Sequence, residues 1–275
     1  MIAELHKDDF HKCLGILNEQ GQLEAKAIVT GINPGRIFVD NVETPKSGLI
    51  WLGNNDGFIF IGNEKNDQFN NALNPFIDHV IAPEAKEIGL TYFEGIGNHE
   101  QWNKTIEMLF EHRTLGIWLQ RVYLFKKENY KDQSVPKIEE RYTIHQINKP
   151  LYENKNNSIK NIEFLHSKIL AFWSSPDCFF RKGIGYCIVH DNEIVSVCFS
   201  GFVVDHIHCI DIETLEIHQG KKLAQRLAHH FIKDCYENNM VAYWDCMDGN
   251  KPSIAVAENV GFFRLFNYVG YEFLF

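Results

Sequence analysis

The chain has 275 residues, 45% hydrophobic and 23% charged, a balance that suits a soluble globular protein with one large core or two ordinary ones. Its formal net charge of −9 argues against a general nucleic-acid binder, which needs a basic surface, and leaves any anionic ligand dependent on a local positive patch. The seven cysteines are odd in number and include no Cys-x-x-Cys pair, which argues against a disulfide framework or a zinc site and for a reducing cytosol.

Met1 to Asp9 carries no signal-peptide apolar region, and no apolar run approaches the roughly 20 residues of a membrane span. Residues 4–20 read as a helix with Phe10, Cys13, Leu14 and Leu17 on one face, and a short second helix is expected at about Leu23 to Val29. Strands are expected at Ile37–Val39 and Ser47–Leu52, with Asn54-Asn55-Asp56-Gly57 turning into Phe58–Gly62. A helix kinked near Pro75 covers Gln68 to Ala82, Thr91–Glu94 reads as a strand, and Asn98 is expected to cap a helix through Phe110. Gly116 to Phe125 is another strand. The charge-rich segment Lys126 to Arg141, with Pro136, places a boundary between domains 1–130 and 131–275.

The second part opens on an alternating strand, Tyr142–Ile147. Ser158 is expected to cap a helix whose inward face holds Ile159, Ile162, Leu165, Ile169 and Trp173. A hairpin follows over Gly183–His190 and Ile194–Val203, and then comes a strand from His206 to Leu215. The turn His218-Gln219-Gly220-Lys221-Lys222 leads into an apolar stripe at helical spacing, from Leu223 to Cys235. Val241–Cys246 reads as a strand, Asn250 to Val260 as a helix, and Phe263–Phe266 and Tyr271–Leu274 as closing strands. Strand, glycine turn, helix, strand, helix is the order of a βαβα unit with parallel pairing. A glycine turn opening a helix also favours anions, because free N–H groups and the helix dipole point at the ligand. Both parts share this element order. The first is read as a degenerate copy, since its equivalent turn, Gly62–Asp67, carries Glu64 and Asp67 where phosphate would sit.

The order and spacing of these motifs resemble the GNAT superfamily of acyl-CoA-dependent N-acyltransferases. Gly220 matches the central glycine of the family's phosphate loop, with Gln219 beside it, and Lys222 stands where the family usually has Gly or Ala. Asn250, Gly261 and Phe262 match a second motif on the last helix. The wording of residues 140–275 is most similar to the branch that includes zwittermicin A resistance proteins. The resemblance implies an α/β fold with a mixed sheet flanked by helices, in two tandem halves, and acetyl-CoA as donor. It implies that Gln219, Gly220, Lys221, Lys222, Leu223 and Ala224 hold the pyrophosphate, and that acyl-pantetheine lies along Ile212, Thr214 and Leu215. It further implies a bulge near Thr214 to Glu216 whose backbone N–H meets the oxyanion, and an Asn250 side chain that contacts the cofactor as well as capping its helix. The family's general acid is a tyrosine, and Ala257 occupies that position. Tyr243, Tyr271, Cys246 or water remain as substitutes.

Glu213, Asp211 and His208 are the candidate general bases, Glu213 and then Asp211 ahead, because a carboxylate among apolar neighbours has a raised pKa suited to neutral pH. The plain alternative for both carboxylates is a salt bridge or an exposed strand face. His206 and His208 share a face as well, and ordinary solvent-facing or core histidines explain them better than a metal pair. Trp244 and Asp245, at the carboxyl end of their strand, are candidates for the substrate cleft. The resulting expectation is a cytoplasmic N-acetyltransferase that modifies a small polar amine, with an antibiotic-like acceptor implied by the resemblance. A non-catalytic acyl-CoA sensor and a protein-directed acyltransferase are the alternatives. No nucleic-acid or membrane partner and no metal are expected.

Overall fold

The computed structural model describes residues 1–126, 128, 130 and 135–275, and the chain divides into two compact units. One comprises Met1–Gln120 with Asn267–Phe275, the other Arg121–Phe266. The expected boundary at 130/131 falls among residues 127, 129 and 131–134, which lie outside the described residues.

In the first unit, strand β1 (Ala3–Glu4) precedes a 3-10 helix, Lys7–Ile16, where an α-helix is expected. Phe10 and Cys13 are buried as the spacing predicts, but Leu14 faces outward. Helix α1 (Leu23–Val29) and strands β2 (Gly35–Val39), β3 (Ser47–Leu52) and β4 (Phe58–Gly62) follow, the strands forming an antiparallel meander. Helix α2 (Asp67–Phe76) gives way to a π-helical turn at Ile77–Ile81 and then to α3 (Ala82–Glu87). Pro75 lies just before that turn, and its missing N–H breaks the regular ladder there. Strand β5 (Tyr92–Gly97) pairs parallel with β4 and leads to α4 (Gln101–Leu109) and β6 (Gly116–Phe125). Asn98 is not the cap of α4. Its buried side chain accepts from the Asn18 N–H and donates to Gln22, fastening the N-terminal segment instead.

The last nine residues, which the sequence groups with the second half, pack in the first unit. Gly270–Leu274 pair antiparallel with β5, extending the order β1-β2-β3-β4-β5 by one strand. Phe273 stacks on Phe93 at 4.8 Å, and Phe93 stacks on Phe58 at 4.5 Å, so the core of this unit is closed by a late segment of the chain.

The second unit contains β7 (Tyr142–Gln146), then α5 (Lys149–Glu153), a short helix capped by Asn148 that the sequence pattern does not announce. Helix α6 (Ile162–Phe172) begins after Asn161 in a left-handed conformation, not at Ser158, and α7 (Pro176–Lys182) is capped by Ser175. Strands β8 (Gly185–His190) and β9 (Glu193–Val204) form the hairpin, turned by Asp191 and Asn192 at positive φ. Then come β10 (Ile207–Thr214), α8 (Leu223–Glu237), β11 (Val241–Met247), α9 (Lys251–Val260) and β12 (Phe262–Leu274). β12 is one strand where two are expected, and it is the strand whose end completes the first unit. The strand order is β6-β11-β10-β9-β8-β7. The α8 stripe Leu223, Leu227, Ala228, Phe231, Ile232 and Cys235 is buried in the same core cluster as Ile210, Trp244 and Phe262.

Candidate functional site

The site is built where β10 and β11 part. They pair in parallel over Ile207–Cys209 against Val241–Tyr243, and the pairing stops there. On its other side β10 stays paired with β9 to Thr214, with a register irregularity between Cys209 and Ile210. The bulge therefore lies opposite Cys209/Ile210, where β9 carries the extra residue Gly201, and not near Thr214 to Glu216. A bulge bends the strand that carries it, and this one lies across from the point where β10 and β11 part. The N–H of Leu215, inside the segment where the oxyanion donor is expected, is spent on the Val195 carbonyl at 2.9 Å. Thr214 bonds Ser196 through its hydroxyl at 2.7 Å and accepts from Gln219 Nε2 at 3.2 Å, so both hold the strand end in place. Ile212 and Leu215 pack part-buried against the α8 core.

Beyond β10, Glu216–His218 make a 3-10 turn and Gln219–Lys222 run exposed into α8. Gly220 has φ +76, which glycine adopts without penalty, and no atom lies within 4 Å of where a Cβ would stand. Lys222, the residue before the helix, is also left-handed at φ +63 and provides no side-chain cap. Arg226 N–H bonds the Lys222 carbonyl, so the donors ahead of it at Leu223 and Ala224 have no partner within the helix. Open space over Gly220, uncapped N–H groups and the positive end of a 15-residue helix fit a pyrophosphate. Bound acetyl-CoA would supply an activated acetyl thioester at the parting of the strands. Lys221 does not reach toward this space. Its Nζ donates to the Tyr142 hydroxyl at 2.8 Å.

Of the two carboxylate candidates, Glu213 is ion-paired with Lys168 on α6. Asp211 is half-buried, two residues beyond the last β10–β11 pair and beside Cys198, whose thiol is pushed well up by burial first and by the Asp211 charge second. Asp245 is half-buried at the corresponding place on β11. Trp244, expected at the cleft, is instead a core side chain. It is 2% exposed, and its indole N–H donates to Ser253 Oγ at 3.0 Å. Asn250 caps α9, its Oδ1 accepting from the Ser253 N–H at 3.1 Å. Ala257 is fully buried in the core and offers no acid. Tyr271 is removed as a substitute, because it lies in the first unit with its hydroxyl donating to Glu107. Cys246 is buried with a raised pKa, chiefly from burial, and Tyr243 is buried as well. His208 is buried, bonds Ser200 Oγ at 2.9 Å, and is held neutral by burial, its pKa lowered to about 4. Among the described residues no group of three His, Cys, Asp or Glu side chains is placed to hold a metal, and no helix is long and apolar enough to cross a membrane.

Comparison with known proteins identifies the family and the fold. The GNAT acetyltransferase family model matches residues 15–271. An uncharacterized N-acetyltransferase, YdfB of Bacillus subtilis, is 25% identical over 239 residues, covering 86% of this chain and 85% of that one. A GCN5-related N-acetyltransferase-like protein from Streptococcus suis has the same fold, with a TM-score of 0.69 at 18% identity over 97% of this chain and 98% of that one. A tandem GNAT protein from the clavulanic acid biosynthesis pathway, solved without AcCoA, gives a TM-score of 0.59 at 9% identity over 100% and 98%. These solved structures share a mixed α/β fold with this chain, and the family match covers nearly all of it, so the chain belongs to the GNAT acetyltransferase family.

Proposed function

We propose that the second unit binds acetyl-CoA at Gln219–Ala224 and acetylates the primary amine of a small polar acceptor. The observation that carries this is the coincidence of three features: strands that part after Cys209/Tyr243, a bulge in β9 opposite that point, and an uncapped helix N-terminus beyond the end of β10. The pyrophosphate is held by the N–H groups around Gly220. A backbone N–H on the edge of β10 that β11 leaves beyond Cys209 meets the thioester oxygen, where a preorganised donor acts most strongly. Asp211 takes the proton of the attacking amine. Glu213, with its carboxylate committed to Lys168, positions α6 against β10, which reverses the order of the two bases taken from sequence alone. Asp245 faces the acceptor ammonium from β11. The first unit supplies no phosphate contact, since Glu64 and Asp67 border its equivalent turn. The resemblance to zwittermicin A resistance proteins supports an antibiotic-like amine as acceptor and a cytoplasmic location.

The test is Asp211→Asn. It is expected to lower turnover by roughly 10²–10⁴-fold with CoA affinity kept, as loss of a general base does. A wild-type rate in that variant removes Asp211 from the mechanism. One observation favours a second reading: the family's acid position is the buried Ala257, as in a sensor that binds acyl-CoA without turnover. Thiol release from acetyl-CoA in the presence of small amines separates the two, and release with peptides alone would point to a protein acceptor.

A further inference from the structure

One buried hydroxyl touches both flanks of the anion-binding turn. Tyr142 lies on the edge strand β7, opposite His190 of β8, and its ring stacks on that imidazole at 4.4 Å. Its hydroxyl accepts from Lys221 Nζ at 2.8 Å and lies 3.0 Å from His218 Nδ1. His218 precedes Gly220 by two residues, and Lys221 follows it. The Lys221 ammonium also lies 5.5 Å from the centre of the Tyr142 ring. His218 is itself 7% exposed, an unusual burial for a polar side chain in a surface turn, and its N–H bonds the Leu215 carbonyl at 2.8 Å.

We propose that the Tyr142 hydroxyl is the positioning group of this turn, tying Lys221 and His218 to β7 so that the backbone around Gly220 is set before a phosphate arrives. The inference rests on the reading of the turn as the CoA site. It gives Lys221 a structural task and explains why its ammonium points away from the open space over Gly220. A turn with two left-handed residues has many alternatives when free, and fixing it in advance removes an ordering cost from binding.

The arrangement needs a neutral His218, because only an unprotonated Nδ1 can accept the tyrosine proton while the hydroxyl accepts from lysine. His218 faces Tyr142 from β7, Lys221 from its own turn, His190 from β8, and Asp191 and Glu193 from the β8–β9 hairpin. Burial, then Lys221 and His190, lower its pKa, and the two carboxylates oppose them. At mildly alkaline pH the tie is intact. In acid His218 becomes a donor, the hydroxyl accepts from two mutually repelling cations, and the tie is weakened.

The experiment compares Tyr142→Phe with wild type by titrating CoA and pantetheine, which lacks the phosphates, between pH 5 and 8. The ring and its stacking remain, so the fold is kept. At pH 8 the variant is expected to bind CoA about tenfold more weakly, the worth of a strong hydrogen bond, with pantetheine unchanged. The difference is expected to narrow toward pH 5, with the Lys221 tie remaining. A CoA ratio below about twofold at pH 8, or equal losses for the two ligands, overturns the proposal. Lys221→Gln, an exposed change that cuts one of the two ties, is expected to weaken CoA and spare pantetheine, and unchanged CoA affinity there also counts against it. Failure of the wild type to bind CoA would sink the reading of the site. Amide exchange at His218 and Gln219 in ligand-free protein then decides the tie by itself. It is expected to be about tenfold faster in Tyr142→Phe, and equal rates overturn the proposal.

Discussion

Replacing Lys222 with glycine is expected to stabilise the second unit. Lys222 is held at φ +63, where an L side chain crowds its own backbone at a cost of about 1–2 kcal/mol. Glycine adopts that conformation freely but loses more freedom on folding, which returns about 0.5–1 kcal/mol. Nothing else is given up, since the Lys222 side chain provides no cap and the residue is exposed. The net gain is about 0.5–1 kcal/mol, a rise in melting temperature of about 2–4 °C per kcal/mol in a unit of this size. Gly220→Ala is the matched control. Its Cβ meets open space, so its loss of about 1 kcal/mol comes from φ +76 alone. Urea and thermal unfolding of both variants provide the measurement. A Lys222→Gly protein less stable than wild type would refute the reasoning, because it would mean that the lysine side chain contributes more than its backbone costs. Gly220→Val is expected to cost more than Gly220→Ala, since a β-branched residue at positive φ is strained whatever space surrounds it.

Three further outcomes are expected. Phe273→Ala removes a buried ring stacked on Phe93 and should destabilise the first unit by about 3–5 kcal/mol, read from denaturant unfolding of the full chain; a loss below about 1 kcal/mol would mean that the late segment is not part of that core. Stability should fall as pH drops from 6.5 toward 4, because the unfolded chain protonates His208 first while the buried, neutral His208 resists until about 4. That gap amounts to about 3 kcal/mol, and His208→Gln should flatten the slope. Asn98→Ala leaves the Asn18 N–H and the Gln22 side chain without their buried partner and should cost about 2–3 kcal/mol in a thermal melt, whereas a simple helix cap would cost about 1.

The patterns legible in the sequence are those decided by near neighbours. The Asn54–Gly57 and Asp191–Asn192 turns, the α8 stripe and the Gly220 turn follow from local backbone preference and from a 3.6-residue period. What escaped notice depends on partners far along the chain. Asn98 looks like a cap because capping residues stand before helices, yet its partners are about 80 residues earlier. Glu213 looks like a free strand carboxylate until α6 brings Lys168 beside it. Trp244 has the strand-end position of a cleft residue, and only packing shows its indole turned into the core. The Asn267–Gly270 run looks like a break between strands because Asn and Gly are turn residues, but the backbone continues through it as β12. Tyr142 could have been singled out by no local rule, since its hydroxyl meets residues 76 and 79 positions away.

The exchange of β12 has a consequence for biosynthesis. A ribosome makes the first 120 residues well before residues 267–275, with the whole second unit in between. At roughly 5–20 residues per second that interval is on the order of ten seconds. Throughout it, the nascent first unit lacks Phe273 and Tyr271, and the edge of β5 awaits its antiparallel partner. The unit thus emerges first and matures last, with an open strand edge and an unfinished aromatic core held in waiting. An exposed edge of that kind invites pairing with other chains, so this protein's demand for chaperone protection falls on its earliest residues.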